Sequence, residues 1–342
     1  MDGKDLSVEA LRGFALVLLV GFHAVGPTMT PETEASAIVN LLAHIGEGLS
    51  FVRMPLFTVI SGYIYARRPV ARGDSNRFLT GKARRLLIPM VVVVVVTLAL
   101  RALSEPDGLE IWGVVKALPE SILWRFEHLW FVQSIFLVFV VVTALELNGQ
   151  LANRTRWAAI TGAAAAGAMF PISVTFFSLD GALYLLPFFL LGLGLNRFYG
   201  GTVPSSLLAT AGVVTVVGLT LQQVALAGWL DLDVDRASPL GIMVGLATAT
   251  LLLAFRQPVG VLAKLGGFSY TVYLYHLIGM AIASRLLGNS PTELLVAAEF
   301  ACGLALGVVL QLGCSSRPVG RVVLLGLRPR PRSGLNPSNA LA

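Results

Sequence analysis

Long apolar stretches parted by short charged ones run the length of this chain, and that alternation constrains its fold more than any other feature. An apolar run of roughly 17 to 25 residues is long enough to cross the hydrocarbon core of a bilayer as a helix. Runs of that order lie near 7–27, 43–66, 86–103, 128–148, 157–173, 180–199, 204–227, 239–255, 266–287 and 292–313. Only 13% of the residues are charged and 56% are hydrophobic, against roughly 25% charged in a soluble domain. The expectation is an all-α polytopic membrane protein, a bundle of ten transmembrane helices.

Lys and Arg accumulate in cytoplasmic loops, so the charges orient the bundle. Segment 67–85 carries Arg67, Arg68, Arg72, Arg77, Lys82, Arg84 and Arg85 and is therefore placed inside. Counting spans outward puts Arg154, Arg156, Arg197, Arg256, Lys264 and the cluster from Arg317 to Arg332 on the same side. The opposite loops hold Glu32, Glu34, Asp180, Asp231, Asp233, Asp235 and Arg236, with a mixed loop over 104–127. Both termini are then expected in the cytoplasm. Trp112, Trp124, Trp130, Trp157 and Trp229 all fall at predicted borders, as an interfacial aromatic belt requires.

The net charge of +6 follows this topology rather than one basic face, so no nucleic-acid partner is expected. Cys302 and Cys314 share the last span without metal-ligand spacing; they read as small apolar core residues, and no metal site is expected. Mixed charge at the amino terminus and the lack of a clear small-residue cleavage site argue that the first span is retained. Residues 1–315 read as one membrane domain. Residues 316–342, ending in "RPRPRSGLNPSNALA", read as a basic, Pro-rich cytoplasmic tail without fixed structure. Between the third and fourth spans, 108–128 mixes apolar and charged residues around two tryptophans, consistent either with a helix lying on the outer surface or with a covering loop.

Ionisable side chains inside a membrane are costly and face a protein interior or a water-filled cavity. The first span, "RGFALVLLVGFH", begins at Arg12 and ends at His23. Eleven helical steps separate the two by roughly 16 Å and return them to within about 20° of one face; Leu16 and Leu19 share that stripe, and Glu9 lies one turn before it. Arg12 taken alone suits an interfacial anchor, and His23 a buried, hydrogen-bonded histidine as well as a chemical group. Arg53 in the second span should point inward, toward a carboxylate such as Glu47 or Glu299, backbone carbonyls or an anionic ligand. Ser61 and Gly62 suit close helix packing. Ser269, Tyr273 and His276 share a face of the ninth span near mid-bilayer. His128 sits at the outer border beside Trp130, where a structural role is ordinary, and His44 has no informative context.

This constellation resembles the acyltransferase 3 family of membrane-bound O-acyltransferases. The matching pieces are the Arg12…His23 spacing, "RMPLFTVISGY" in the second span, "ARRLLIP" opening the third, "HLWFV" opening the fourth and "SYTVYLYH" near the end, in the family's order over essentially the whole chain. Thr58 stands where the family has a second Phe, and the additional periplasmic hydrolase-like domain of some members is not seen. The resemblance implies a multi-pass protein of the cell's inner membrane that moves an acyl group, most often acetyl, from cytoplasmic acyl-CoA to a hydroxyl of a sugar, glycan or related acceptor. No permanently bound cofactor is implied. Under it, His23 is the catalytic base, and Arg12, Arg84 and Arg85 meet the phosphates of the donor. Arg53, Ser61, Trp130, Tyr270, Tyr273 and His276 are candidates for holding the acceptor or the oxyanion. A transporter is the other class that buried Arg and His residues suit, although paired repeats with interrupted helices are not apparent.

Overall fold

The computed structural model describes residues 5–26, 36–103, 111–170, 172–288 and 290–328. The expected outer acids Glu32 and Glu34, the first part of the loop from 104, and the tail from 329 lie outside the described residues. The helices, in chain order, are α1 (Leu6–Val25), α2 (Ala37–Gly48), α3 (Arg53–Tyr65), α4 (Ser75–Ala102), α5 (Ile111–Leu123), α6 (Trp130–Leu147), α7 (Arg154–Ala168), α8 (Leu179–Arg197), α9 (Ser205–Leu226), α10 (Pro239–Ala254), α11 (Gly260–Gly266), α12 (Ser269–Leu287), α13 (Thr292–Cys314) and α14 (Pro318–Val323). A 3₁₀ turn, Glu127–Leu129, leads into α6. No strand occurs among the described residues; an isolated bridge joins Trp124 and Phe176.

Every predicted span overlaps a helix, the second of them two, α2 and α3, and the protein is an all-α membrane protein over the described residues. Among the described residues, six segments are both long and apolar enough to cross a bilayer: α1, α4, Glu127–Leu147, α8, α9 and α13. The others fall short of that measure. α10 is apolar but 16 residues long, α7 has 15 residues, and α12 has the length but carries tyrosines, a histidine and an arginine. Helices α9 and α13 turn Val213, Val216, Val217, Val309 and Leu312 outward, as contact with hydrocarbon requires.

The predicted second span is not one helix. The chain turns over Leu49–Val52, between α2 and α3. Pro55 supplies the reason, because a residue without an N–H and with fixed φ suits a first helical turn and disrupts a helix interior. The carbonyls freed at the break find donors. Gln222 Nε2 donates to the Glu47 carbonyl at 3.3 Å and to Ser50 Oγ at 3.1 Å, and Arg53 Nη1 donates to the Gly46 carbonyl at 2.6 Å.

Close helix contacts depend on glycine. A Cβ at Gly62 would collide with the Phe189 carbonyl of α8, and one at Gly192 with the Val59 carbonyl of α3. Likewise Gly13 of α1 lies against the Leu262 carbonyl of α11, and Gly266 against that of Glu9. Backbones meet at these crossings as they do in small-residue membrane interfaces. Around them Leu16, Leu56, Ile60, Phe188, Phe189, Leu190 and Leu193 are fully buried. Cys302 and Cys314 are free and half-buried.

At the start of α1, the Asp5 carboxylate accepts from the backbone N–H of Ser7 and Val8 and from the Ser7 hydroxyl, which caps the helix. It also pairs with Arg67 at 2.6 Å, so the loop after α3 is strapped to the amino end of α1. Burial pushes the Asp5 carboxyl upward, but the Ser7 and Arg67 hydrogen bonds together with the Val8 amide outweigh it and hold the group at about 2.

The segment beginning at 316 is not a free tail at its start. It forms α14, buries Leu325, receives a hydrogen bond from Tyr275 Oη on the Leu324 carbonyl at 3.2 Å, and seats Gly326 on the backbone of Arg84 and Arg85. The apolar run "VVLLGL", residues 322–327, explains this; it gains by leaving water, as the Pro- and Arg-rich residues beyond it do not.

Candidate active site

Helix α1 carries both poles of the site. Its inward stripe is as the spacing predicts: Leu16 and Leu19 are buried, with Arg12 and His23 half-buried at its ends. At the His23 end three imidazoles converge. The rings of His23 and His276 lie 5.1 Å apart between centroids, and those of His276 and His128 lie 4.8 Å apart. His276 comes from α12 and His128 from the 3₁₀ turn before α6.

The hydrogen bonds fix what each ring offers. His276 Nδ1 is 2.7 Å from the Tyr273 carbonyl, and His128 Nε2 is 3.1 Å from the Leu274 carbonyl. A carbonyl only accepts, so these nitrogens carry the protons, and His276 Nε2 and His128 Nδ1 are bare lone pairs. Neither has a hydrogen-bond partner among the described residues. His276 is wholly buried and His128 nearly so, at 0% and 6% exposure. His23 is the member of the cluster that is not enclosed, and its ring makes no side-chain hydrogen bond among the described residues. Three imidazoles invite a metal, yet no group of three His, Cys, Asp or Glu side chains among the described residues is arranged to hold one.

His128 was the member least visible in the sequence. It reads there as an interfacial histidine, but Glu127 adopts a positive φ of 43° and pairs with Arg101. A non-glycine residue in that region costs on the order of 1 kcal/mol or more and is held by its surroundings. Tyr273 Oη donates to the His128 carbonyl. Its hydroxyl therefore positions His128 and is not free to meet an oxyanion.

Arg53 is buried at 8% exposure and takes the carbonyl option among the partners its depth suggested. Besides its bond to Gly46, the guanidinium lies over the Phe22 ring at 3.5 Å, a cation–π contact one residue from His23. Glu299 is not its partner; that carboxylate accepts from Ser284 Oγ at 2.5 Å. Ser61 Oγ donates to its own helix at the Phe57 carbonyl, 2.8 Å away. Trp130 stands apart from the imidazoles at the mouth of the bundle, with Arg236 over its ring at 4.3 Å.

At the Arg12 end the charge is positive. Arg12 pairs with Glu9 at 3.0 Å, while Lys82 and Arg85 lie near enough for mutual repulsion with it. Lys82, which spacing had not singled out, places its ammonium 3.7 Å over the Phe139 ring. Three basic side chains thus gather around one carboxylate. Arg85 is exposed, whereas Arg84 Nε is directed to the Gly326 carbonyl at 3.5 Å. Tyr270 belongs to this end and not to the histidines: its hydroxyl donates to the Leu86 carbonyl at 3.0 Å.

Two cavities flank this axis. One, of about 420 Å³, is an apolar groove between α1, α2 and α13 that reaches Phe22. The other, of about 370 Å³, mixes charged and apolar side chains in its lining and lies beside the amino ends of α8 and α10. Neither is lined by His23 or Arg12.

No curated protein and no solved structure matches the chain. The family model described as the acyltransferase domain, acyltransferase 3, matches residues 5–314, which takes in both poles of α1, all three clustered histidines and every helix from α1 to α13. The chain belongs to that acyltransferase family.

Proposed function

We propose that this protein is an inner-membrane O-acyltransferase whose ten helices span the bilayer with both termini in the cytoplasm, and that it moves an acetyl group from acetyl-CoA to a hydroxyl of a sugar or glycan. The observation that carries the reading is the pairing, on one helix, of a cationic end at Arg12 with a half-buried imidazole at His23 set against two enclosed ones. Arg12, Lys82 and Arg85 meet the donor's phosphates. The pantetheine arm, on the order of 15 to 20 Å long, matches the roughly 16 Å climb along α1, and brings the thioester to His23.

An alcohol attacks poorly at neutral pH unless a base takes its proton as it does so. His23 removes that proton, the acceptor oxygen forms a bond to the thioester carbonyl carbon, and the carbon–sulfur bond breaks. The CoA thiolate then leaves with the proton held by the imidazolium. Arg53, one residue away across Phe22, supplies positive charge toward the developing oxyanion. His276, whose ring lies 5.1 Å from that of His23 between centroids, and His128 behind it form the wall against which the His23 imidazole is seated.

The test is His23→Ala and His23→Asn in membranes, with expression matched to the parent. A general base contributes roughly 10²- to 10⁴-fold, so turnover of labelled acetyl-CoA should fall by that order while thermal stabilisation by acetyl-CoA persists. Full turnover in His23→Ala removes the assignment. Stabilisation by a transported solute, with none by acetyl-CoA, removes the enzyme reading.

A further inference from the structure

The cavity of about 370 Å³ beside the amino ends of α8 and α10 is not used by the chemistry above. It belongs to the histidine end of the bundle. Trp130, two residues after His128, lies under two of the guanidiniums that line it, Arg236 at 4.3 Å and Arg125 at 6.0 Å from the ring centre. Roughly 16 Å of α1 separates that end from Arg12, so this cavity is distinct from the cationic pole assigned to the donor.

Its charges do not cancel. Arg125 is paired with Asp180, which also accepts from the Gly181 N–H at 2.7 Å. Arg236 is half-buried and makes no ion pair among the described residues; its guanidinium lies over Trp130 and, at 5.3 Å, over Tyr184. A cation–π contact uses the face of the guanidinium and leaves its N–H edge for hydrogen bonds. Asp235 is exposed, with one oxygen turned to the Ala237 N–H at 2.7 Å. Arg53 does not line the cavity, but with Arg236 and Asp235 it is one of the three charges acting most on the Tyr184 hydroxyl. Two cations there face one acid, and the acid that Arg53 itself feels, Glu47, is exposed on α2. Tyr184 lines the cavity and is 5% exposed, and its hydroxyl has no hydrogen-bond partner among the described residues. A buried hydroxyl without a partner carries a cost that an arriving acceptor removes.

We infer that this cavity binds a phosphate group, with Arg236 and the Tyr184 hydroxyl as its donors and Arg53 adding positive field from within the bundle. The surplus of cations selects an anion, and a guanidinium fork gives phosphate oxygens charge-assisted, paired hydrogen bonds. The surroundings favour phosphate among anions. Trp124 and Phe170 are exposed near Arg125 and at the rim, and such aromatic residues sit at the headgroup level of a bilayer, where phospholipids carry their phosphates. The volume lies within the roughly 300 to 1,000 Å³ of small-molecule sites. Two sources share this chemistry, a phospholipid headgroup and a free phosphate. The inference stands apart from acyl transfer and holds whether or not His23 is the base.

The experiment uses the full chain, and its two arms separate the sources. In detergent, inorganic phosphate is titrated against thermal unfolding, with sodium chloride at matched ionic strength to account for screening and acetate as the carboxylate control. In nanodiscs, retention of phosphatidylglycerol is read by native mass spectrometry against diacylglycerol, which lacks the phosphate. Saturable stabilisation by inorganic phosphate supports a free phosphate, and selective retention of phosphatidylglycerol supports a headgroup. Arg236→Gln should weaken the binding about tenfold and Tyr184→Phe about fivefold, as the loss of a hydrogen bond with a charged partner does. Arg236→Lys, which keeps the charge and loses the fork, should fall between the parent and Arg236→Gln. Without phosphate, Tyr184→Phe should unfold no earlier than the parent, because its hydroxyl satisfies no group of the protein. Binding in neither arm, preference for acetate, or affinity unchanged in both Arg236→Gln and Tyr184→Phe overturns the proposal. So does a response that Lys82→Met abolishes and Arg236→Gln spares, since it belongs to the other pole.

Discussion

Replacing Arg53 by Met asks whether a buried guanidinium without a carboxylate partner is held for the fold. The side chain is 8% exposed, donates to the Gly46 carbonyl at 2.6 Å and covers Phe22 at 3.5 Å. Met keeps most of the stem and removes both contacts. An orphaned carbonyl at the last turn of α2 costs about 1–3 kcal/mol, and a desolvated cation–π contact is worth about 2 kcal/mol. Against these stands relief from burying a charge, which in other proteins has made apolar replacements of buried ions neutral or stabilising by about 1–4 kcal/mol. The carbonyl sits where the α2 dipole also favours a cation, so the losses should exceed the relief, leaving a net destabilisation of about 2 kcal/mol. That corresponds to roughly 3–6 °C in apparent Tm, at the lower end of the scaling for large domains. Thermal unfolding in detergent reads it, and Arg53→Lys, which restores a donor but not a planar face, should fall between. Hydrogen exchange at the carboxyl end of α2 should quicken in the Met variant. A Met variant as stable as the parent would refute the capping argument and leave a ligand as the reason for the charge.

Three further outcomes are expected. Gly62→Leu should abolish folding, because α3 and α8 meet backbone to backbone there; normal yield of monodisperse protein would contradict the contact. Lys82→Met should weaken stabilisation by acetyl-CoA about tenfold in apparent Kd, with Arg84→Gln changing it much less since Arg84 is turned to Gly326; the reverse ranking in a thermal-shift titration would reassign the mouth. The Asp5 carboxyl is held at about 2, below its ordinary value, so the strap to Arg67 contributes fully above about pH 4 and is lost as pH falls toward 2. Its exposure limits the effect to a fraction of a kcal/mol. Exchange of the Ser7 and Val8 amides should quicken over that window in the parent, and Asp5→Asn should show no such window.

The helices were legible because lipid imposes them: each apolar run near its predicted place is helical, and the α1 stripe from Arg12 to His23 faces inward as spacing dictates. The break between α2 and α3 was hidden inside one apolar run, with Pro55 as its signal. Tyr270 and Tyr273 are, from the resemblance, candidates for holding the acceptor or the oxyanion. They are engaged by the carbonyls of Leu86 and His128, which lie 184 and 145 residues away in sequence, and no local pattern records such a partner. The inward turn of His128 depends on the backbone angle at Glu127, which residue type does not announce. Likewise Lys82 and Arg236 looked like ordinary topology charges until packing brought one beside Arg12 and the other over Trp130. The apolar run after Arg321 was masked by the basic residues around it.

Two imidazoles that have each committed their sole hydrogen to the main chain have only electron pairs left for a neighbour. They have no hydrogen to lend, so neither ring can hand a proton to His23. Under the proposed reaction, His23 regains its neutral form by discharging to something that arrives and departs, and the leaving sulfur of the donor suits that errand better than any fixed part of the bundle.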